Sequence, residues 1–399
     1  MQDPLKGVRV LDLTNVLAGP FCCHQLAHLG ADVVKVEAVG RGDLARQLGA
    51  DPALNDRLMG VSFLAQNAGK RSVTLNLKHP DGKALFERLV AGADVVVENF
   101  RPGVMDRLGV GWEALRIENP KLVYCAISGF GQDGPWTDRP AYDQIIQGAA
   151  GVMAVTGDAA GEPTRVGFPL ADTIGGMTAA FAICAALQGR ARQGGTFIDV
   201  SMLESVLATM GWAVSNWLIA GVRPHRQGNE NPTSAPSGAF RAKDGLVNIA
   251  ANKDEQWQAL ARHLGREDLL DHRHYATRES RKVNRHALRR ELEIVLQARP
   301  AREWARELSR LGVPAGAVMD VPEILDHDVI AGRDMVAEYP APPGVGRNVR
   351  TVRTGVKLDG KAPSVASPPP RLGEHNDEVY GALGLSLDDI ERLRQEGVI

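Results

Sequence analysis

The sequence predicts an α/β protein with a large domain built on a parallel sheet and a smaller α+β domain. Three observations carry this. Short Val/Ile/Leu runs recur through the first 200 residues with helical patterns between them; strands that apolar on both sides belong to parallel sheets covered on both faces. A Pro-, Asn-, Gly- and Ser-rich stretch, Gly221–Ser237, then marks a boundary and is followed by a hairpin pattern. Finally, 399 residues are too many for one ordinary core.

The elements follow in order. Val8–Leu13 is a short apolar strand. Phe21–Leu29 has the helical period and closes on Gly30, a residue suited to a helix C-terminus. Asp32–Glu37 and Ser72–Leu77 are strands, Pro80–Ala93 a helix and Asp94–Asn99 a strand. A helical region over Gly103–Leu115 leads to the strand Leu122–Ser128. Thr173–Gly189 has no charged side chain, so a helix there is apolar on nearly every face and is expected to be buried. Thr196–Val200 ends the large domain, residues 1–200. Met202–Ala220 is one long apolar helix within a linker, residues 201–228. In the small domain, residues 229–325, Gly238–Lys243 turns at Asp244-Gly245 into Leu246–Ala251. Helices are expected at 254–264, 284–297, Ala301–Leu311 and Val321–Ile330, and two more after Gly373.

Composition narrows the class. A hydrophobic content of 44% and a charged content of 24% are those of a soluble globular protein. A net charge of −2 gives no reason to expect nucleic acid. Met1-Gln2-Asp3-Pro4 lacks the basic-then-apolar run of a secretory leader. The apolar 173–189 stretch is short for a membrane span, contains three glycines and opens on Asp172, so no membrane is expected. Cys22, Cys23, Cys125 and Cys184 lack metal-type spacing and read as thiols of a reducing cytoplasm.

Several motifs have bland readings. Gly129-Phe130-Gly131-Gln132-Asp133-Gly134 matches the dinucleotide fingerprint, but Pro135 follows where a helix should open, so a dehydrogenase is not expected. His24 and His28 have the spacing of two zinc ligands, but Gln25 stands where the catalytic glutamate would be; a structural pair is expected and no metal. There is no G-x-S-x-G elbow and no P-loop. Asp172 itself, heading an apolar helix, reads first as an N-cap.

Its company changes that reading. Phe168–Met177, Ile127–Pro135, Ala141-Tyr142-Asp143-Gln144, Leu5–Leu13, Ala18-Gly19-Pro20, Ala31–Glu37, Val97–Gly103 and Leu372-Gly373-Glu374-His375 occur together along the chain. As an ordered set they resemble the class III CoA-transferases of the CaiB–BaiF type, which include formyl-CoA transferase and succinyl-CoA-dependent dicarboxylate transferases. The resemblance implies a Rossmann-like large domain, a final segment (326–399) returning to it, and a homodimer of interlocked rings. It implies acyl-CoA and a small carboxylic acid as substrates, with no permanently bound cofactor. It makes Asp172 the nucleophile and places Val16, Leu75, Lys78, Asn99, Phe100, Arg107 and Tyr142 around CoA, a polyanion that needs cations and apolar walls.

The implied chemistry is covalent catalysis by a carboxylate, through an acyl-aspartyl anhydride and an aspartyl-CoA thioester. It needs oxyanion donors and exclusion of water, and the start of the 173–189 helix with its two glycines is expected to supply N–H groups. The formyl-CoA branch has other residues at Leu17, Ala38 and Pro140, and a glycine run where this chain has Asn231–Pro236. Arg41 is a candidate replacement for the missing cation at Ala38. The 228–245 stretch is more like the succinyl-CoA-dependent dicarboxylate branch, for which Arg41, Arg46 and Arg71 are candidate partners of a distal carboxylate. The rivals are an α-methylacyl-CoA racemase, which needs a base on each face and has His where Tyr142 stands, and a non-catalytic CoA-binding protein.

Overall fold

A computed structural model describes residues 3–399; the first two residues of Met1–Pro4, on which the leader reading rests, lie outside the described residues. The chain divides into two compact units, one of residues up to 152, 165–219 and 328–399, the other of 153–164 and 220–327.

The first unit is built on six parallel strands: β1 Arg9–Asp12, β2 Asp32–Glu37, β3 Lys70–Thr74, β4 Val95–Glu98, β5 Val123–Ser128 and β6 Thr196–Ser201. Their order is β3-β2-β1-β4-β5-β6. Alternate side chains go to opposite faces. Val10, Val33, Val95, Val97, Cys125 and Ile127 enter one core, with the helices Ala18–His28 and Leu170–Gln193. Leu11, Val34, Val73, Val96, Tyr124 and Ala126 enter the other, with Pro80–Ala91 and the terminal helices Asn376–Ala382 and Leu387–Gln395. Both faces are covered, which is why the central strands β1, β4 and β5 read as largely apolar runs.

The late motif seals an edge. The outer strand β3 pairs on one side only. Along its free side, Ser72 N–H donates to His375 Nδ1 at 3.1 Å and Thr74 N–H to Asn376 Oδ1 at 2.9 Å. The Tyr380 hydroxyl donates to the Thr74 carbonyl at 2.7 Å. An exposed edge is thereby closed by the end of the chain. The returning segment also carries an antiparallel pair, β10 Val336–Tyr339 and β11 Val349–Val352, which the sequence did not announce.

In the second unit, β7 Ser237–Arg241, β8 Leu246–Ala250 and β9 Ala315–Ala317 form an antiparallel sheet. Helices Asp254–His263, Arg285–Leu296 and Ala301–Arg310 pack on it around Trp257, Leu292 and Trp304.

Four expectations need correction. Strand β3 spans 70–74 rather than 72–77, because Lys70 and Arg71 are held by acids on neighbouring segments. Met202–Ala220 is two helices, Met202–Thr209 and Trp212–Ala220, broken where Gly211 takes φ +54°. Val321–Ile330 is likewise two short helices, Val321–Leu325 and Asp328–Ala331. The apolar helix, Leu170–Gln193, is long and apolar enough to cross a membrane by length and composition, yet it packs as a core helix on one face only. Ala171, Gly175, Ala179 and Ile183 are buried, while Phe181 is 75% exposed and Met177 is exposed beside it.

Its glycines serve close packing. A Cβ on Gly176 would stand 2.4 Å from the Ala18 carbonyl oxygen, and one on Gly175 would stand 2.9 Å from Met202 Cγ. A Cβ on Gly189 would meet only the end of the Gln193 side chain, at 3.2 Å. Gly176→Ala is expected to lower stability by about 1–3 kcal/mol through overpacking. Gly189→Ala is expected to raise it by up to about 1 kcal/mol through helix propensity. Urea midpoints that are equal for the two variants would contradict this packing account.

Candidate active site

The strand order reverses between β1 and β4, where ligands of open α/β sheets bind, outside the carboxyl ends of the strands. Here the loops after β1 and β4 hold each other. Asn15 N–H donates to Asn99 Oδ1, and Asn99 Nδ2 donates to the Asn15 carbonyl, both at 2.8 Å. A cavity of about 370 Å³ opens at this point, lined among others by Val16, Asn99, Phe100, Tyr142 and Asp172. A second, of about 470 Å³, is lined by Leu75, Ala38 and Lys78. Asn15 and Phe100 border both, so the two adjoin.

The floor of the site is a buried ion network. Lys70 Nζ donates to Asp12 Oδ2 at 2.8 Å and to the Pro20 carbonyl at 2.9 Å. Lys35 Nζ lies 3.0 Å from Asp43 Oδ2 and donates to the Thr14 carbonyl at 2.7 Å. Burial alone would raise the Asp12 pKa, but Lys35 and Lys70 bring it down to about 2. Asp43 Oδ1 in turn accepts from Val16 N–H at 2.8 Å. That contact holds Val16 at φ +68°, a left-handed conformation rare for a β-branched residue, and Val16 lines the cavity.

Asp172 is not an N-cap. The helix begins at Leu170, so Asp172 is its third residue. The cap comes from elsewhere in the chain: Asp143 Oδ1 accepts from Ala171 N–H at 2.7 Å. Gln147, fully buried, donates to Asp143 Oδ2 at 2.7 Å, and its carbonyl oxygen accepts from Val166 N–H at 2.8 Å. These bonds free the Asp172 carboxylate to face the cavity. Burial, and then the like charge of Asp143, raise its pKa to about 7. A partly dehydrated carboxylate with a raised pKa is a stronger nucleophile once ionised.

The other expected residues separate into groups. Val16, Asn99, Phe100 and Tyr142 line the first cavity; Leu75, Lys78 and Phe100 line the second. Arg107 lines neither; it is exposed at the end of the helix Val104–Arg107, beside Gly103. Arg41 is exposed and also lines neither. Arg46 is excluded as a substrate contact, being buried and bonded to both Glu37 oxygens at 2.7 Å. Arg71 is held by Asp32 and Glu378. The helix glycines pack, as described above, rather than donate. Asp143, Arg101 and Arg139 were not singled out as site residues, although Asp143 and Arg101 lie within the quoted motifs Ala141–Gln144 and Val97–Gly103. The glycine-rich stretch after β5 is a loop: Gly131 takes φ +90° and its N–H donates to Ser128 Oγ at 2.9 Å, and the next helix starts only at Asp143. His24 and His28 are buried with ring nitrogens 3.0 Å apart.

The sequence profile of CoA-transferase family III matches residues 5–376. The chain belongs to that family. It is a CoA-transferase. It is 41% identical to the acetyl-CoA:oxalate CoA-transferase of Acetobacter aceti, over 84% of this chain and 86% of that one. It is 36% identical to the succinate–glutarate CoA-transferase of Agrobacterium fabrum, over 98% and 97% of the two chains. The crystal structure of a CaiB/BaiF family protein from Brucella suis superposes on this transferase with a TM-score of 0.84, at 34% identity, covering 96% of this chain and all of that one.

A raised carboxylate pKa fixes two signs. Asp172 is mostly protonated at pH 6 and mostly ionised at pH 8, so turnover is expected to rise through about pH 7. Asp143→Asn removes the like charge and should move that midpoint down by roughly one unit; an unmoved midpoint would contradict the assignment. Because the folded state holds the proton more tightly, the fold loses stability as pH rises from about 4 to 7. Asp172→Asn should therefore be more stable than wild type at pH 8, by about 2 kcal/mol after allowance for solvent screening, and no more stable at pH 4.

Proposed function

We propose that this transferase moves CoA from succinyl-CoA to a small dicarboxylic acid through a covalent aspartyl-CoA thioester on Asp172. The observation that carries the reading is the Asp172 carboxylate facing a cavity that adjoins the Lys78-lined one. CoA laid along the second cavity, with Lys78 near its phosphates and Leu75 and Phe100 as apolar walls, brings its thioester end toward Asp172.

The steps balance without ATP. The Asp172 carboxylate attacks the donor thioester carbonyl, forming a mixed anhydride and releasing CoA thiolate. The thiolate attacks the aspartyl carbonyl, giving the aspartyl-CoA thioester and the free donor acid. The acceptor carboxylate then attacks that thioester, and the thiolate attacks the acceptor carbonyl of the new anhydride. The aspartate leaves as a carboxylate. No base is needed to activate the nucleophile once it is ionised.

The donor and acceptor rest on the resemblance of residues 228–245 to the dicarboxylate branch and on the glutarate-using relative. The oxalate-using relative also names a dicarboxylate. A racemase needs a second acid/base opposite Asp172, and the lining of the cavity has no histidine among the described residues. Presenting the enzyme with succinyl-CoA and one acid at a time, and weighing the CoA products, should show four- to six-carbon dicarboxylates as the best acceptors. A hydrophobic acyl-CoA or formyl-CoA outperforming succinyl-CoA as donor would overturn the substrate reading. Asp172→Asn should lose transfer by at least roughly 1000-fold while remaining folded, since it removes the attacking atom.

The same reading makes the enzyme a cytoplasmic homodimer of interlocked chains. Support comes from four free thiols and from apolar surface left open on the single chain. Phe181 on one helix, and Trp212, Leu218 and Ile219 on Trp212–Ala220, are all more than half exposed, and no residue of that second helix is buried. Interlocked chains separate only by partial unfolding, so sedimentation at nanomolar concentration should still give a dimer. A folded monomer there would contradict interlocking.

A further inference from the structure

We infer that Arg139 binds the distal carboxylate of the acceptor and so selects dicarboxylates over monocarboxylates. The inference rests on the substrate class proposed above. A dicarboxylate entering this cavity carries its second charge toward a wall that already holds Asp172, with Asp143 behind it. A cation in the same cavity must offset that repulsion and turn the reacting carboxylate toward Asp172.

Of the cations, few line the cavity and are not already spent on acids. Arg46 and Arg71 are spent on acids, and Lys78 lines only the second cavity. Arg101 and Arg139 line the first, and both are exposed. Arg101 follows Phe100, the residue shared with the second cavity, and so sits on the path laid out for CoA. Arg139 comes from the loop after β5, which contributes nothing to the second cavity.

The loop also presets the guanidinium. Its carbon lies 4.4 Å from the centroid of the Trp136 ring. Trp136 meets Phe130 edge-on at 5.3 Å, and Phe130 lines the cavity. Arg139 N–H closes the turn onto the Trp136 carbonyl at 2.9 Å. The contact with the Trp136 ring steadies the guanidinium, and a guanidinium held in this way can grip a carboxylate with two bonds.

The test compares glutarate with valerate, the monocarboxylate of equal length, with succinyl-CoA as donor. In a two-step exchange, kcat/KM for the acceptor reports only the second half-reaction. Wild type should prefer glutarate. Arg139→Leu should lose roughly 30- to 100-fold of kcat/KM on glutarate, the effect of removing one partner of a charge-assisted pair, while valerate changes less than about threefold, so that fold and chemistry are controlled within one variant. Arg139→Lys should recover part of the glutarate rate. An unchanged glutarate-to-valerate ratio in Arg139→Leu, or a collapse of that ratio in Arg101→Leu instead, would overturn the inference. Wild type with no preference for glutarate would overturn the substrate reading beneath it.

Discussion

Two lysines with no contact to solvent hold the mouth of the sheet. Lys35 and Lys70 are both buried, on β2 and β3, and between them they neutralise Asp12 at the end of β1 and Asp43 in the loop after β2. Buried charges are tolerated only when paired and fully bonded. Each lysine therefore also spends protons on backbone carbonyls, Thr14 for one and Pro20 for the other. The consequence is geometric: the β1 loop, the start of the Ala18–His28 helix and the Asp43 turn are fixed together, and Val16 is kept in a conformation it would not choose. A second tier extends this to the chain end, where Glu37 accepts from Ser72 Oγ, which accepts from Gly373 N–H. The crevice at the switch point is thus held open by charge pairing beneath it, and the cavities form above.

The candidate nucleophile is set against that rigid floor by an opposed pair of effects. Asp143 stabilises the first turn of the Leu170–Gln193 helix through the Ala171 amide, and the same carboxylate destabilises the ionised form of Asp172. The cost is held in place by Gln147, which satisfies the other Asp143 oxygen and ties the segment before the helix at Val166. Stability given up at one residue in exchange for reactivity is common at catalytic sites.

Much of this was legible in the chain. Strands β4 and β5 could be placed to within a residue because burial on both faces leaves a largely apolar run that ends at polar residues, and β2 because its valines flank a single lysine. Asp172 was legible through the motif around it. What failed did so for non-local reasons. The cap on its helix comes from a residue 28 positions earlier, so the sequence near Asp172 offered the carboxylate itself as the cap. Lysines read as surface residues, and nothing adjacent in sequence reveals that Lys70 meets Asp12, 58 residues away. Arg46 looked free because its acid, Glu37, lies on β2 and its other acceptors include the carbonyls of Leu58 and Pro370. Arg139 carries no local signal, since its relation to the cavity depends on how the loop after β5 folds back. The break at Gly211 was hidden because both flanking segments are mostly apolar.

The central claim is that the Asp172 carboxylate takes part covalently in transfer, and oxygen labelling reads it most directly. An acceptor acid carrying oxygen-18 in its carboxylates attacks the aspartyl thioester through one labelled oxygen. That oxygen bridges the anhydride and remains on the aspartate when CoA thiolate takes the acceptor carbonyl. After turnover with succinyl-CoA, the peptide containing Asp172 should carry oxygen-18, and no other carboxyl-bearing peptide should. Completed turnover with no label in that peptide would contradict the account.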